Sequence, residues 1–181
     1  MENTTHQGVY FAPEAYAGFW LRVSAWAIDL LFLLLLSYGY WLIFYFYSQW
    51  TMFELNLLTG SIFFTWMIYL TVIKPSRKST IGFLLTGIKI VDLQGDKPSL
   101  WRMTFRFLLL SIGPFELLND LIWLTGEKTK QTLRDKFSGT YVVRKTAQPI
   151  GNAKIVMTRL FVLGWNLIYK EVAIPEKVFE N

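Results

Sequence analysis

The feature that most constrains this chain is a long apolar run from Phe19 to Phe46, in which the only charged residues are Arg22 and Asp29. As a helix rising ~1.5 Å per residue, the run would be roughly 40 Å long, which is enough to cross a bilayer with some tilt. Its centre, Leu30 to Leu36, has no polar side chain, and this does not fit one half of a soluble helix pair. We therefore expect a transmembrane helix here.

Asp29 needs an explanation, because a carboxylate near the middle of a membrane helix costs ~3 kcal/mol on insertion scales. Arg22 lies about two helical turns earlier on the same face, but ~10 Å away along the axis, so the two cannot pair directly. Two interpretations stay open. Asp29 either hydrogen-bonds a neighbouring helix, with Ser61, Thr65 or Asn119 as donors, or belongs to an ion or proton path. Both require it to face protein or a water-filled cavity.

The composition agrees with a membrane location, since 53% of the residues are hydrophobic, 18% are aromatic and only 17% are charged. The chain has no cysteine, its one histidine is His6, and it has no glycine-rich phosphate motif. The sequence therefore predicts no enzyme, no metal site and no cofactor. All lysines and arginines except Arg22 follow Ile73, beside apolar segments. This distribution favours a bilayer surface with anionic lipid over nucleic acid as the partner.

A second apolar stretch, Leu57 to Ile73, ends at a basic loop, Lys74 to Lys78. The loop between the two apolar stretches, Ser48 to Glu54, has no lysine or arginine. By the positive-inside rule we expect the basic loop and the N-terminus to be cytoplasmic.

A third apolar segment, residues 101–124, is followed by a basic stretch, Gly126 to Lys145. A single crossing would place that stretch outside, against the positive-inside rule. The Gly113-Pro114 pair favours a re-entrant pair of half-helices with both ends cytoplasmic, and a kinked single crossing is the alternative. In the re-entrant form Glu116 and Asp120 would face protein or water.

Two short β-segments, Ile88 to Leu93 and Thr140 to Arg144, have no other evident partner, so we expect them to pair with each other. This pairing would bring Asp135 close to Arg22, at the inner mouth of the first helix. The two side chains could then neutralise each other.

Before the first of these segments, Ser79 or Thr80 can cap a short helix through Thr86, and Gly87 can end it. Arg102 and Arg106, four residues apart on one helix face, are expected in the cytoplasmic headgroup layer.

Overall, the sequence predicts an all-α membrane protein with a small cytoplasmic β-hairpin-like element. The bundle would contain two transmembrane helices and a third, kinked or re-entrant, apolar segment. We expect residues 1–16 to be a polar tail, residues 17–145 to be the membrane domain and residues 146–181 to be an amphipathic tail. Within the second tail the run from Ala153 to Val172 is too short to span and is expected to lie on the membrane surface.

Several motifs, in their order and spacing, resemble the RDD family of small integral membrane proteins. They are Ala17-Gly18-Phe19-Trp20-Leu21-Arg22, the internal Asp29, Thr80-Ile81-Gly82, Gly87-Ile88-Lys89-Ile90-Val91-Asp92, Leu133-Arg134-Asp135-Lys136 and Gly139-Thr140-Tyr141-Val142-Val143. The family is named for one arginine and two aspartates, which match Arg22, Asp29 and Asp135. The resemblance covers roughly residues 17–145, and the chain departs from the pattern at Phe83 and in the C-terminal tail.

The resemblance implies a multi-pass protein of a bacterial inner (plasma) membrane. It also implies transport, since transport has been proposed for the family and some members are linked to sodium/proton antiport. The chain would then be a transporter subunit that exchanges protons for a monovalent cation through Asp29, Glu116, Asp120 and Asp135. Because so small a bundle forms a poor pathway alone, it would act as a homo-oligomer or with another membrane protein. The alternative is a non-catalytic scaffold or adaptor, in which Arg22, Asp29 and Asp135 are structural and the cytoplasmic unit recruits a protein partner or anionic lipid.

Overall fold

A computed structural model of the chain describes residues 7–111, 128–162 and 165–179. Two long helices form a hairpin, and strands and short helices form a second unit at its open end. The helices are α1 (Phe19–Tyr47), α2 (Met52–Ile68) with a π-helical continuation (Tyr69–Ile73), α3 (Ile81–Thr86), α4 (Leu100–Ser111) and α5 (Leu133–Ser138). The strands are β1 (Gln7–Tyr10), β2 (Ile88–Asp92), β3 (Thr140–Arg144), β4 (Gly151–Val162) and β5 (Trp165–Val172).

The helix hairpin turns immediately before Thr51, which begins α2 with a capping box. Its hydroxyl accepts from the Glu54 amide, and the Glu54 carboxylate accepts from the Thr51 amide at 3.1 Å. The two helices then run antiparallel and share polar contacts along their length. Tyr40 Oη lies 3.2 Å from Thr65 Oγ1, and the indole of Trp66 donates to the Ser37 hydroxyl at 3.0 Å.

Two helices among the described residues are long and apolar enough to cross a membrane, Phe19–Tyr47 and Met52–Ile73. The core helix of a soluble protein would be mostly buried, but here large apolar side chains such as Leu31, Leu35 and Phe53 are exposed. These uncovered apolar surfaces fit a lipid environment. The prediction of two membrane-capable helices is confirmed.

The predicted pairing of the two β-segments is also confirmed. Strands β2 and β3 are antiparallel, with Ile88 opposite Arg144 and Asp92 opposite Thr140. Because side chains alternate along a strand, this ribbon has two apolar faces. One face carries Ile88, Ile90 and Val142 and packs on α1, α3 and α4. The other carries Val91, Leu93, Tyr141 and Val143 and packs on the N-terminal segment and β5. The ribbon is therefore the layer between the membrane helices and the outer sheet.

The described residues that flank the third apolar segment, in α4 and from residue 128 onwards, lie at the same end of the hairpin. The Arg102 side chain on α4 donates to the Gly139 carbonyl at 3.1 Å, and the Arg22 side chain donates to the Lys130 carbonyl at 2.6 Å. The re-entrant form stays a prediction. The break at Gly113-Pro114, and with it Glu116, Asn119 and Asp120, lies outside the described residues.

Both predicted tails need correction, because their described parts belong to the fold. In the N-terminal segment Phe11 and Tyr16 are fully buried, and β1 pairs with β4. The run from Ala153 to Val172 is not a single surface-lying segment but most of the β4–β5 hairpin. Its many β-branched side chains favour extended strands that pair with each other.

The all-α class is therefore wrong for the part of the chain that the structure describes. A two-stranded and a three-stranded sheet, the latter in the order β1-β4-β5, accompany the helices. The sequence revealed only the shorter strand pair. The larger sheet joins the two ends of the chain, and no local pattern records such a pairing.

Candidate functional site

The first turns of α1 carry Arg22 and Asp29 on one face, and this face is turned towards the second unit. The two residues do not contact each other, in agreement with their spacing. Each lies in its own buried cluster of hydrogen bonds and charges.

Asp29 is 2% exposed and accepts four hydrogen bonds. Its Oδ1 accepts from the Tyr69 hydroxyl at 3.0 Å and from the Gly82 amide at 2.8 Å. Its Oδ2 accepts from the Thr80 hydroxyl at 2.8 Å and from Lys74 Nζ at 3.3 Å. The carboxylate thus connects three elements, which are α1, the π-helical turn and the start of α3. The expectation that Asp29 faces protein is confirmed.

Local structure explains why these groups converge on Asp29. The π-helical turn widens the end of the second helix, and Tyr69 and Lys74 lie at its two ends. Gly82 brings α3 against α1, since a Cβ there would overlap the Ala25 carbonyl and lie 2.8 Å from Asp29 Oδ1. The ammonium group of Lys74 also lies 4.4 Å from the centre of the Phe83 ring, within the range of a cation–π contact.

The level of Asp29 along the hairpin differs from the sequence expectation. Lys74, its ionic partner, directly follows Ile73, the last residue of the second membrane-capable helix. Asp29 therefore lies level with the end of that helix, not near its middle. The predicted donors also differ, because Thr65 contacts Tyr40 instead, no Ser61 contact to Asp29 is present, and Asn119 lies outside the described residues.

Asp135 forms the second cluster and is fully buried. Its Oδ2 accepts from Arg22 and from the Thr132 amide at 3.1 Å, and its Oδ1 contacts Arg106. The Thr132 hydroxyl in turn accepts from the Asp135 amide, so the pair forms the capping box of α5. The predicted contact between Arg22 and Asp135 is confirmed.

The electrostatics of this cluster hold the carboxylate in its charged form. Burial alone would raise the pKa of Asp135. The positive charges of Arg106 and Arg22 outweigh burial and hold the pKa well below its ordinary 3.8. Asp135 therefore stays ionised at every physiological pH, with two arginines sharing its charge.

Arg102 and Arg106, which were predicted to lie in the headgroup layer, both contact protein groups. Arg106 is 11% exposed and, besides contacting Asp135, donates to the Thr140 hydroxyl at 2.6 Å. Arg102 lies 3.6 Å from the Asp92 carboxylate and donates to the Gly139 carbonyl. This face of α4 packs on protein, and both guanidinium groups join it to the β2–β3 ribbon and to Gly139, the residue before β3.

Two partners in these clusters were missed from the sequence, Lys74 and Arg106. Lys74 was interpreted only as a marker of the cytoplasmic side. A geometric signal was available, since residues equally far from the turn of an antiparallel hairpin lie opposite each other, and Asp29 and Lys74 are nearly equidistant from Thr51. Arg106 had no comparable signal, because α4 and α5 meet only in the folded chain.

The comparisons with known proteins agree with this arrangement. The sequence model of the RDD family matches residues 16–139 of the 181-residue chain. The matched region contains both clusters, including Arg22, Asp29 and Asp135. Searches of curated proteins and of solved structures found no match. Since the family match covers well over half of its length, the chain is a member of the RDD family.

Proposed function

We propose that this protein is a non-catalytic membrane scaffold or adaptor. In this proposal the helix hairpin anchors the chain, with the N-terminus cytoplasmic, and the unit at the open end recruits a protein partner or anionic lipid. The observation that carries the proposal is that hydrogen bonds or ion pairs from the chain's own groups reach all four carboxylate oxygens of Asp29 and Asp135.

A carboxylate that binds and releases a cation needs oxygens that the cation can reach. Asp29 already accepts from three uncharged donors and from Lys74, whose ammonium group supplies the positive charge. Asp135 lies between two guanidinium groups and is 0% exposed. These surroundings favour permanent structural charges over exchangeable ones.

A structural role for buried charges has a physical basis. A buried ion pair adds little net stability relative to a well-packed apolar core, because each ion loses its hydration. It does penalise every arrangement that separates the partners. Here the two clusters fix α3, α4 and α5 in one position against α1, and a surface held in this way is suited to recruitment.

Cation/proton exchange by an oligomer is the second candidate, and Lys74 favours it. This lysine lies one residue beyond the second membrane-capable helix, and burial lowers its pKa to about 8. Loss of its proton at mildly alkaline pH would leave the Asp29 carboxylate without a cation, and a monovalent cation could then replace the ammonium group. In this candidate the acidic residues of the third apolar segment, Glu116 and Asp120, would extend such a path.

Proton flux in sealed vesicles that contain only this protein distinguishes the two candidates. A sodium or potassium gradient is imposed, and an entrapped pH dye reports proton movement. The scaffold proposal expects the wild type to give the same trace as protein-free vesicles at pH 7 and at pH 9. Cation-driven acidification or alkalinisation that disappears in Asp29→Asn but persists in Asp92→Asn would overturn the scaffold in favour of exchange.

A further inference from the structure

The helices α3 and α4 expose apolar faces that the fold does not use. The side chains at these faces lie three or four residues apart, so each set forms one stripe. They are Ile81, Leu84 and Leu85 on α3, and Trp101, Phe105 and Leu108 on α4. We call these six residues the apolar collar. Leu85 is 69% exposed and Trp101 is 76% exposed. Water solvates both of these apolar side chains poorly.

The α3 part of the collar lies at the level where the membrane-capable helices end, and the α4 part extends along the second of them. The buried face of α3, Gly82 and Phe83, packs on α1 beside Ala25 and Asp29. Asp29 is in turn level with Lys74, at the end of the second long helix. On α4 the Phe107 ring lies 5.9 Å from the Phe63 ring of α2. The collar is therefore continuous with the apolar surface of the hairpin.

Exposed positive charge borders the collar on the side of α3. Arg77 and Lys78 lie in the loop between the π-helical turn and α3, and both are exposed. No carboxylate in the described ranges forms an ion pair with either of them. Amphipathic helices with apolar residues on one face and cations at their border lie in the headgroup region and attract acidic lipids.

We propose that the apolar collar, with Arg77 and Lys78, binds the cytoplasmic leaflet and prefers acidic phospholipids there. The inference deepens the proposed scaffold function, on which it rests, by naming the partner of this face as lipid. The apolar stripes enter the boundary between headgroups and acyl chains. The side chains of Arg77 and Lys78 bind lipid phosphates beside the stripes. This binding adds to the membrane anchoring that the helix hairpin provides.

The chain has no cysteine, so a single introduced one reports on the collar directly. Leu85→Cys carries a fluorescent label in the full-length protein, reconstituted in vesicles of phosphatidylcholine and phosphatidylglycerol in equal parts. Asn152→Cys, at an exposed site on β4, is the matched control. We expect a nitroxide lipid to quench the label at position 85 and aqueous iodide to quench the label at position 152. Iodide quenching without lipid quenching at position 85 would overturn the proposal, because the collar would then face water.

The second arm tests the preference for acidic lipid. Quenching at position 85 by nitroxide phosphatidylglycerol is compared with quenching by nitroxide phosphatidylcholine. Wild-type Arg77 and Lys78 should favour the acidic lipid, and Arg77→Gln/Lys78→Gln should lower this preference by roughly fivefold for each charge removed. Lys154→Gln/Lys170→Gln removes the same charge from exposed sites on β4 and β5 and should leave it unchanged.

Equal quenching by the two lipids in the wild type, or an equal loss in both double variants, would overturn the preference. Neither arm imposes an ion gradient, so the collar is tested separately from transport. Cation flux together with normal quenching would overturn the scaffold proposal and leave the collar proposal standing. If neither lipid quenching nor cation flux is seen, the collar proposal is overturned and the scaffold proposal stands.

Discussion

At the scale of single residues, Asp135 lies fully buried between Arg22 and Arg106. Asp135→Asn keeps an acceptor for the Thr132 amide but leaves both guanidinium groups without their counter-charge. We expect the free energy of unfolding to fall by about 3 kcal/mol, since breaking a buried pair leaves an uncompensated charge. Denaturant unfolding in detergent, followed by circular dichroism, measures the change.

Asp92→Asn is the matched control for this substitution. Asp92 pairs with Arg102 at 3.6 Å in a more exposed position, so its loss should cost less than ~1 kcal/mol. Equal losses in the two variants would mean that Asp135 acts through its shape and not its charge.

The low pKa of Asp135 also predicts how stability depends on pH. Because the folded pKa lies below the ordinary 3.8, the carboxylate contributes its full stability above that pH and loses it as the pH falls further. The melting temperature of the wild type should therefore fall more steeply than that of Asp135→Asn between about pH 5 and pH 2. Melting curves of both proteins across this range provide the measurement. Parallel profiles would assign the acid sensitivity to other carboxylates.

At the scale of elements, the seating of α3 on α1 depends on the missing side chain of Gly82. A Cβ at this position would overlap the Ala25 carbonyl, which is backbone and cannot rotate away. We expect Gly82→Ala to move α3 away from Asp29 and to cost about 1–3 kcal/mol or more. Gly60→Ala in α2 is the control, because nothing lies within 4 Å of its Cβ position.

Alanine favours a helix over glycine by about 1 kcal/mol, so Gly60→Ala should be neutral or stabilising. Thermal unfolding of both variants in the same detergent compares the two glycines directly. A Gly82→Ala protein as stable as the wild type would show that the contact between α3 and α1 contributes nothing.

At the scale of the whole molecule, the N-terminal segment, the β2–β3 ribbon and the C-terminal strands lie at one end of the hairpin, and the Ser48–Thr51 turn lies at the other. With the positive-inside rule, we expect the first end to be cytoplasmic. Single cysteines at Gln49, Gln94 and Thr146, all exposed positions, test this prediction on intact cells. An impermeant thiol reagent should label position 49 alone until the cells are opened.

Labelling of positions 94 and 146 in intact cells, with position 49 protected, would invert the orientation. Labelling of positions 49 and 146, with position 94 protected, would place β2 and β3 on opposite sides of the membrane and so contradict their pairing.

The sequence by itself determined the features that depend on neighbours along the chain. Length and apolarity identified both long helices, and Thr80 and Gly87 marked the start and end of α3, where Gly87 adopts a positive φ of 66°. The strand pair β2–β3 was also predictable, because two short β-segments in a membrane protein need each other. The contact between Arg22 and Asp135 followed from that pairing.

Only the tertiary structure decided which groups surround the two aspartates and how the ends of the chain are used. Lys74 pairs with Asp29 and Arg106 pairs with Asp135. The partners are too far apart in the sequence for helix or strand periodicity to predict the contacts. Gln7 pairs with Lys154 for the same reason. Such contacts form because folding closes long loops and buries side chains like Phe11 together. The free energy that stabilises these contacts comes from the assembled core, so it cannot be read from any single segment.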